Sequence, residues 1–167
     1  MPAARNGARW LWLSAATLAA DRATKYLIET RTGGAYRFVV VPQVAAIVHS
    51  QNPGIAFGVF SDSPSRGLEV ALICGALAVL ALLIWLLVSG RAGGTLSMAG
   101  VALMAGGAAG NMLDRLLHGV VTDFIEVRLG HYIWPSFNVA DSALFVGAAF
   151  LLIELIFFGH QTRAERA

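Results

Sequence analysis

The chain has 167 residues, of which 57% are hydrophobic and only 13% are charged. Soluble domains contain about 45–50% apolar and about 25% charged residues, so this composition indicates a single-domain integral membrane protein. Twelve basic and ten acidic residues give a net charge of +2 and form no basic cluster, which argues against a nucleic-acid partner. Cys74 is the single cysteine, so an intrachain disulfide and a cysteine-based metal site are excluded.

Four segments predict membrane-spanning helices, because crossing about 30 Å of hydrocarbon takes about 20 mostly apolar residues. They cover residues 10–28, 70–88, 96–113 and 140–158. The second and third carry no charge, and in the fourth the stretch Ser142–Phe158 is interrupted only by Glu154, which can face a partner helix. The third also contains Gly106 and Gly110, whose spacing predicts close packing against another helix.

The first segment has two interpretations. Arg5 and Arg9 precede an apolar run that ends in small residues, which is typical of a cleavable signal peptide. Asp21 and Lys25, however, have the i,i+4 spacing and order that stabilise a continuous helix. We therefore interpret residues 10–28 as a membrane span that continues through both charges.

The connections between the spans differ in length. Spans two and three are joined by a short Gly-rich turn, so with four spans the long connections 29–69 and 114–139 lie on the same side of the membrane. The first contains the β-prone runs Phe38–Val41 and Ala45–Val48, followed by the turn signal Asn52-Pro53-Gly54. The sequence thus predicts an all-α membrane protein with four transmembrane helices and a small β-element. Arginines divide evenly between the two sides, so charge does not orient the chain.

Polar residues converge at the membrane edge on the side of the long connections, where ionisable groups are costly and therefore informative about function. The residues are Asn111, Asp114 and Arg115 at the end of span three, Asp123 in the connection, and Asn138 and Asp141 at the start of span four. Asp114 with Arg115, and Asp21 with Lys25, predict ion pairs that lower the cost of charge near lipid.

Asp123 and Asp141 have no such local cation in the sequence. Two carboxylates brought together cannot both ionise easily, so the pKa of one is raised and a proton is shared. This arrangement suits an acid/base dyad and, equally, a proton or cation pathway. The residues alone leave both functions open.

Other chemistries find little support. Lys25 is the only lysine, and Asp21 would hold it charged, which disfavours a Ser-Lys hydrolase. The four histidines lack zinc-binding spacing, and the chain has no phosphate-binding loop and no nucleophile-elbow motif. We therefore expect no metal.

Four segments taken in order carry a specific resemblance along nearly the whole chain. They are Asp21–Lys25, Asn52–Gly58, Gly110–Arg115 with Gly119–Phe124, and Phe137–Asp141. Together they resemble the lipoprotein signal peptidases, also called type II signal peptidases. Arg22 is one departure, because the family usually has glutamine there, and it affects only local helix-end contacts.

The resemblance implies an aspartic peptidase of the bacterial inner membrane, with both termini cytoplasmic and the β-element and active site near the extracytoplasmic face. It implies that Asp123 and Asp141 form the catalytic dyad and that no cofactor is needed. It further implies that Asn111, Asp114, Arg115 and Asn138 line or support the site, that Asn52 and Gly54 contact substrate, and that Asp21 and Lys25 stabilise the fold.

The implied substrate is a prolipoprotein whose signal peptide is cut just before a diacylglyceryl-modified cysteine. Its acyl chains would bring it to the site by lateral diffusion in membrane lipid. We expect a monomer in which residues 52–60 cover the dyad. The alternative is a non-catalytic four-helix protein with a carboxylate-lined proton or cation pathway, but such a protein would have no reason to keep both aspartates.

Overall fold

The computed structural model describes residues 7–53 and 66–158. Within these ranges the helices are α1 (Leu11–Arg31), α2 (Arg66–Val88), α3 (Thr95–His118) and α4 (Val139–Phe157). The strands are β1 (Arg37–Val41), β2 (Ala45–Asn52), β3 (Val121–Leu129) and β4 (Tyr132–Phe137). A 3₁₀ turn, Gly7–Trp10, precedes α1.

Three helices of the described ranges are long and apolar enough to cross a membrane: α3, α4 and the Val70–Val88 part of α2. Large apolar side chains on α2 and α4, among them Leu82 and Phe145, are exposed, as expected for surfaces that face lipid. Helix α1 has 21 residues, about 31 Å at ~1.5 Å per residue, but its second half is rich in charge. Helix α1 is therefore long enough, but not apolar enough, to count among these three helices.

Helix α3 packs against the other three helices. A Cβ added at Gly106 would lie 2.5 Å from the Ser14 carbonyl oxygen of α1, and one added at Gly100 would lie 2.6 Å from the Gly147 carbonyl oxygen of α4. Only glycine allows these backbones to approach so closely. The predicted packing role of the small residues in this span is confirmed.

The start of α3 is capped by a residue from α4. The N-cap residue of α3 is Gly94, which has no side chain that could accept hydrogen bonds from the free backbone N–H groups of the first turn. The Glu154 carboxylate accepts hydrogen bonds from the backbone N–H of Gly94 and, at 2.8 Å, from that of Ser97. Glu154 thus faces a partner helix, as the sequence allowed, and joins the last turn of α4 to the start of α3.

We predict that Gly110→Ala destabilises the protein by about 1–3 kcal/mol, as overpacking of a tight interior does. Its Cβ would clash with the buried Asp21 carboxylate and lie 3.5 Å from the Ala140 Cβ. Gly75→Ala in α2 is the matched control, because nothing lies within 4 Å of its Cβ position and alanine favours helix. Thermal unfolding in detergent micelles compares the two, and equal losses would contradict the packing proposed for α3.

The strands form one antiparallel sheet in the order β1-β2-β3-β4. The runs predicted as β-prone are β1 and the first half of β2. Strands β3 and β4 occupy the second long connection, where no strands were predicted, so the fold is mostly helical with a larger sheet than expected. Ile125, Val127 and Leu129 alternate with polar residues, and this period of two is the signal that would have revealed β3.

The sheet is attached directly to the helix ends. Gly119, with a φ of 74°, ends α3 in a left-handed conformation, and β3 starts two residues later. Asn138 separates β4 from α4 and is the N-cap of α4. These two short joints place the start of β3 against the ends of α3 and α4.

Candidate active site

Asp123 lies on β3, opposite Ser50 of β2, and only 3% of its surface is exposed. One carboxylate oxygen, Oδ1, accepts a hydrogen bond of 2.7 Å from Asn138 Nδ2. The other, Oδ2, accepts one of 3.2 Å from Asn52 Nδ2. Two amide side chains from different elements therefore hold this carboxylate.

Asp141 is the third residue of α4, three positions after the N-cap Asn138. Its backbone N–H donates to Asn138 Oδ1 at 2.9 Å, and its Oδ2 accepts from the Asn138 backbone N–H at 3.2 Å. This reciprocal capping box explains why Asn-x-x-Asp starts the helix. Asp141 Oδ1 accepts a hydrogen bond of 2.7 Å from Asn111 Nδ2, which joins α4 to α3.

Asn138 is fully buried and contacts both carboxylates, Asp123 through its side chain and Asp141 through its backbone N–H. The structure therefore brings together the two aspartates that the sequence singled out. The charge of Asp141 acts on Asp123, and two carboxyl groups that influence each other in this way are the chemical requirement of an acid/base dyad.

Burial, and after it the nearby charge of Asp141, raise the pKa of Asp123 to about 7 against the opposing hydrogen bonds from Asn52 and Asn138. A carboxyl group with this pKa is partly protonated at neutral pH. It can therefore donate a proton, which an ordinary aspartate with a pKa near 3.8 cannot do at that pH.

A buried ion network lies behind the two aspartates. The Lys25 ammonium has no exposed surface and lies 2.8 Å from Asp21 Oδ2, 2.8 Å from Asp114 Oδ2 and 3.0 Å from Asn111 Oδ1. Asp21 Oδ1 accepts from the Ala140 backbone N–H at 2.9 Å. The predicted contact between Asp21 and Lys25 is present, and it belongs to a network that joins α1, α3 and α4.

The partners of Asp114 differ from the expected local pair with Arg115. Asp114 binds Lys25 and Arg22 of α1 and accepts from the Thr122 backbone N–H at 3.3 Å. Arg115 donates to the Asn111 carbonyl oxygen at 3.1 Å, and its guanidinium attracts Asp123 and Asp141. The sequence spacing could not predict these partners of Asp114, because they lie on α1 and β3.

The expectation that Arg22 affects only local helix-end contacts is wrong, because Arg22 pairs with Asp114 of α3. Sequence reasoning also missed the contacts that Thr122 and Glu29 make beside the site. Thr122 Oγ1 donates to Glu29 Oε1 at 2.9 Å, and Glu29 in turn lies 3.4 Å from Arg22. Arg22 and Glu29 are seven residues apart, so helical periodicity would have put them on one face of α1. Gly54 and most of the predicted covering segment 52–60 lie outside the described residues.

Among residues 7–53 and 66–158, one group of side chains has the spacing of a metal site. Ligand atoms of Glu29, Asp114 and His118 lie within 4.8 Å of one another. Asp114 is already bound by Lys25 and Arg22, and Glu29 by Arg22, so cations of the chain itself neutralise these oxygens. We assign no metal to this group.

The family model of signal peptidase (SPase) II matches residues 13–157. The chain belongs to the signal peptidase II family. It is therefore an aspartic peptidase and a bacterial integral membrane protein. The family residues that the sequence singled out, including Asp123 and Asp141, all lie within the matched range.

Named relatives and solved structures agree with this membership. A lipoprotein signal peptidase of Solibacter usitatus is 41% identical, covering 89% of this chain and 92% of the relative. One from Staphylococcus carnosus is 33% identical, covering 92% of this chain and 93% of the relative. A solved structure described as a bacterial membrane enzyme superposes with a TM-score of 0.79 at 28% identity, covering 89% of this chain and 88% of the other.

Proposed function

We propose that this signal peptidase II removes the signal peptide from diacylglyceryl-modified prolipoproteins, cutting just before the lipid-modified cysteine, and that Asp123 and Asp141 are its catalytic dyad. The observation that carries the assignment is the position of Asn138, which hydrogen-bonds to both carboxylates at the junction of the sheet and α4. The family membership does not favour the alternative of a carboxylate-lined ion pathway.

The mechanism follows from two carboxyl groups that hold one proton. The ionised aspartate takes a proton from water, the resulting hydroxide oxygen bonds to the scissile carbonyl carbon, and the protonated aspartate donates its proton to the carbonyl oxygen. In the second step the first aspartate returns its proton to the leaving amide nitrogen as the C–N bond breaks. The other aspartate takes a hydroxyl proton from the tetrahedral intermediate, which restores the dyad. The scheme needs no cofactor.

The remaining site residues have supporting roles in this proposal. Asn111 and Asn138 orient the two carboxylates, and Arg115 supplies positive charge near them. Asp114, Asp21 and Lys25 join the helices behind the dyad. Asn52 contacts Asp123, and we place Gly54 with it in a segment, 52–60, that covers the dyad and contacts substrate.

We propose that α1 is a fourth transmembrane helix and that the chain forms one domain over residues 1–167. The charges of α1 most distant from water are neutralised inside the protein, since Lys25 pairs with Asp21 and Asp114. Internal pairing lowers the cost of charged residues at membrane depth. With four spans both termini lie on the same side of the membrane, and we propose that this is the cytoplasmic side of the bacterial inner membrane, with the sheet on the extracytoplasmic side.

A site at the helix ends suits a substrate anchored in the bilayer. Each CH₂ group buried in lipid contributes about 0.8 kcal/mol to membrane binding, so two acyl chains hold the precursor in the membrane. The precursor then reaches the monomeric enzyme by lateral diffusion, and its scissile bond lies close to the bilayer surface where the dyad sits.

The lipid requirement tests this function. We expect purified protein to cleave a diacylglyceryl-modified prolipoprotein at least about 100-fold faster, in kcat/KM, than the same precursor with an unmodified cysteine, because the binding energy of the acyl chains is lost. The assay separates precursor from product by mass in matched detergent micelles. Equal cleavage of both precursors would contradict the proposed substrate.

A further inference from the structure

The two aspartates of the proposed dyad receive different hydrogen bonds. Asp141 accepts from a backbone N–H at the start of α4, where the helix dipole favours negative charge, and from Asn111 Nδ2 at 2.7 Å. Asp123 accepts only from side-chain amides in the described contacts. Of these, Asn138 Nδ2 is shared with Asn111 Oδ1 at 3.2 Å and the Thr122 carbonyl oxygen at 3.3 Å.

Lys25 determines which way the Asn111 amide points. An ammonium group can only donate hydrogen bonds, so the atom 3.0 Å from Lys25 Nζ must be the Asn111 carbonyl oxygen. The Asn138 amide donates to the same oxygen. Asn111 Nδ2 therefore points at Asp141, and the reversed amide would present an oxygen to the carboxylate.

We propose that Lys25, acting through Asn111, is a positioning residue that holds Asp141 as the ionised base of the dyad and leaves the proton on Asp123. The inference rests on the proposed peptidase function and adds a role to each aspartate. Asp141 then takes the proton from the attacking water, and Asp123 donates its proton to the scissile carbonyl oxygen.

The other charges around the dyad act on both aspartates. Arg115 attracts Asp141 most strongly and then Asp123, and it also attracts Asp114. Lys25 also attracts Asp123, but its hydrogen-bonded path leads to Asp141. The pKa of Asp123, raised to about 7 by burial and by the charge of Asp141, agrees with Asp123 as the acid.

Profiles of kcat/KM against pH test which aspartate is the base and which is the acid. The acidic limb of the profile reports the pKa of the base, and the alkaline limb reports the pKa of the acid. Asn111→Leu removes a donor from Asp141, so we expect the acidic limb to move up by about one pH unit and the alkaline limb to stay in place. Asn52→Leu is the matched control, because it removes a donor from Asp123 and should move only the alkaline limb upward.

Lys25 is tested in a variant with balanced charge. Lys25→Met combined with Asp21→Asn removes the cation and one carboxylate together, while Asp114 keeps Arg22 and asparagine can still accept from the Ala140 N–H. We expect the acidic limb to move upward, as in Asn111→Leu. If this variant fails to fold, Lys25→Arg replaces it, because arginine also only donates and should leave the acidic limb unchanged while Asn111→Leu moves it.

The outcomes separate the inference from the proposed function. A shift of the alkaline limb in Asn111→Leu would exchange the two roles and overturn the inference. Altered stability or KM with both limbs fixed would show that Lys25 and Asn111 are merely structural, which also overturns it. If the wild type cleaves no lipid-modified precursor at any pH, the proposed function fails, and the inference fails with it.

Discussion

Asp123→Asn and Asp141→Asn are each expected to lower kcat for prolipoprotein cleavage by about 10⁴-fold, the size seen when one member of a coupled acid/base set is lost. Asparagine keeps the shape of the side chain but cannot take up or release the proton. Because both aspartates hydrogen-bond to Asn138, the two losses should be similar, and the double variant should lose little more than either single one.

Glu126→Gln is the matched control for these variants. Glu126 lies three residues after Asp123 on the same strand and pairs with Arg37 at 2.7 Å. We expect its cleavage rate to stay within about twofold of the wild type, because its ion pair with Arg37 lies outside the site. Thermal unfolding checks that each variant is folded. Near-normal cleavage by either folded aspartate variant would remove that residue from the dyad.

Lys25→Met is expected to lower the free energy of unfolding by about 3–5 kcal/mol, the cost of breaking a buried ion pair from one side. Lys25, Asp21 and Asp114 have no exposed surface, and the ammonium lies 2.8 Å from each carboxylate. Without it, Asp21 must be buried as an unpaired charge or take up a proton. Denaturant or thermal unfolding in micelles measures the loss.

Two further variants test whether the loss of stability in Lys25→Met comes from the buried ion network. Arg37→Met breaks an ion pair whose arginine side chain is 42% exposed, and it should cost less than about 1 kcal/mol. Lys25→Met with Asp21→Asn should recover part of the loss, because removing both partners leaves no isolated charge between them. If Lys25→Met costs no more than Arg37→Met, the network does not hold the helices together.

The transmembrane helices could be predicted wherever apolar residues run without interruption. Predicted span 70–88 lies within Arg66–Val88, and predicted span 140–158 agrees with Val139–Phe157 to within one residue at each end. Helix α3 continues past the predicted end at 113 to His118, because the charged Asp114 is neutralised by α1 and the helix can extend to Gly119. Apolar patterning cannot show an extension that depends on a distant partner.

The residues of the candidate site could be selected from the sequence, but their network of contacts could not be predicted. Asp123 and Asp141 stood out because each carboxylate lacked a nearby cation in a chain where charge is costly. The partners of Asp114 could not be read in the same way, since Arg22 precedes it by 92 residues. The double contact of Asn138 likewise depends on β3 and α4 meeting, and β3 was not predicted.

The mass of the product formed by purified wild-type protein tests the central claim most directly. With a diacylglyceryl-modified prolipoprotein and an excess of chelator, we predict a mature chain that begins at the lipid-modified cysteine, together with the released signal peptide. Intact precursor, a cut at another bond, or cleavage abolished by the chelator would contradict a metal-free aspartic dyad at Asp123 and Asp141.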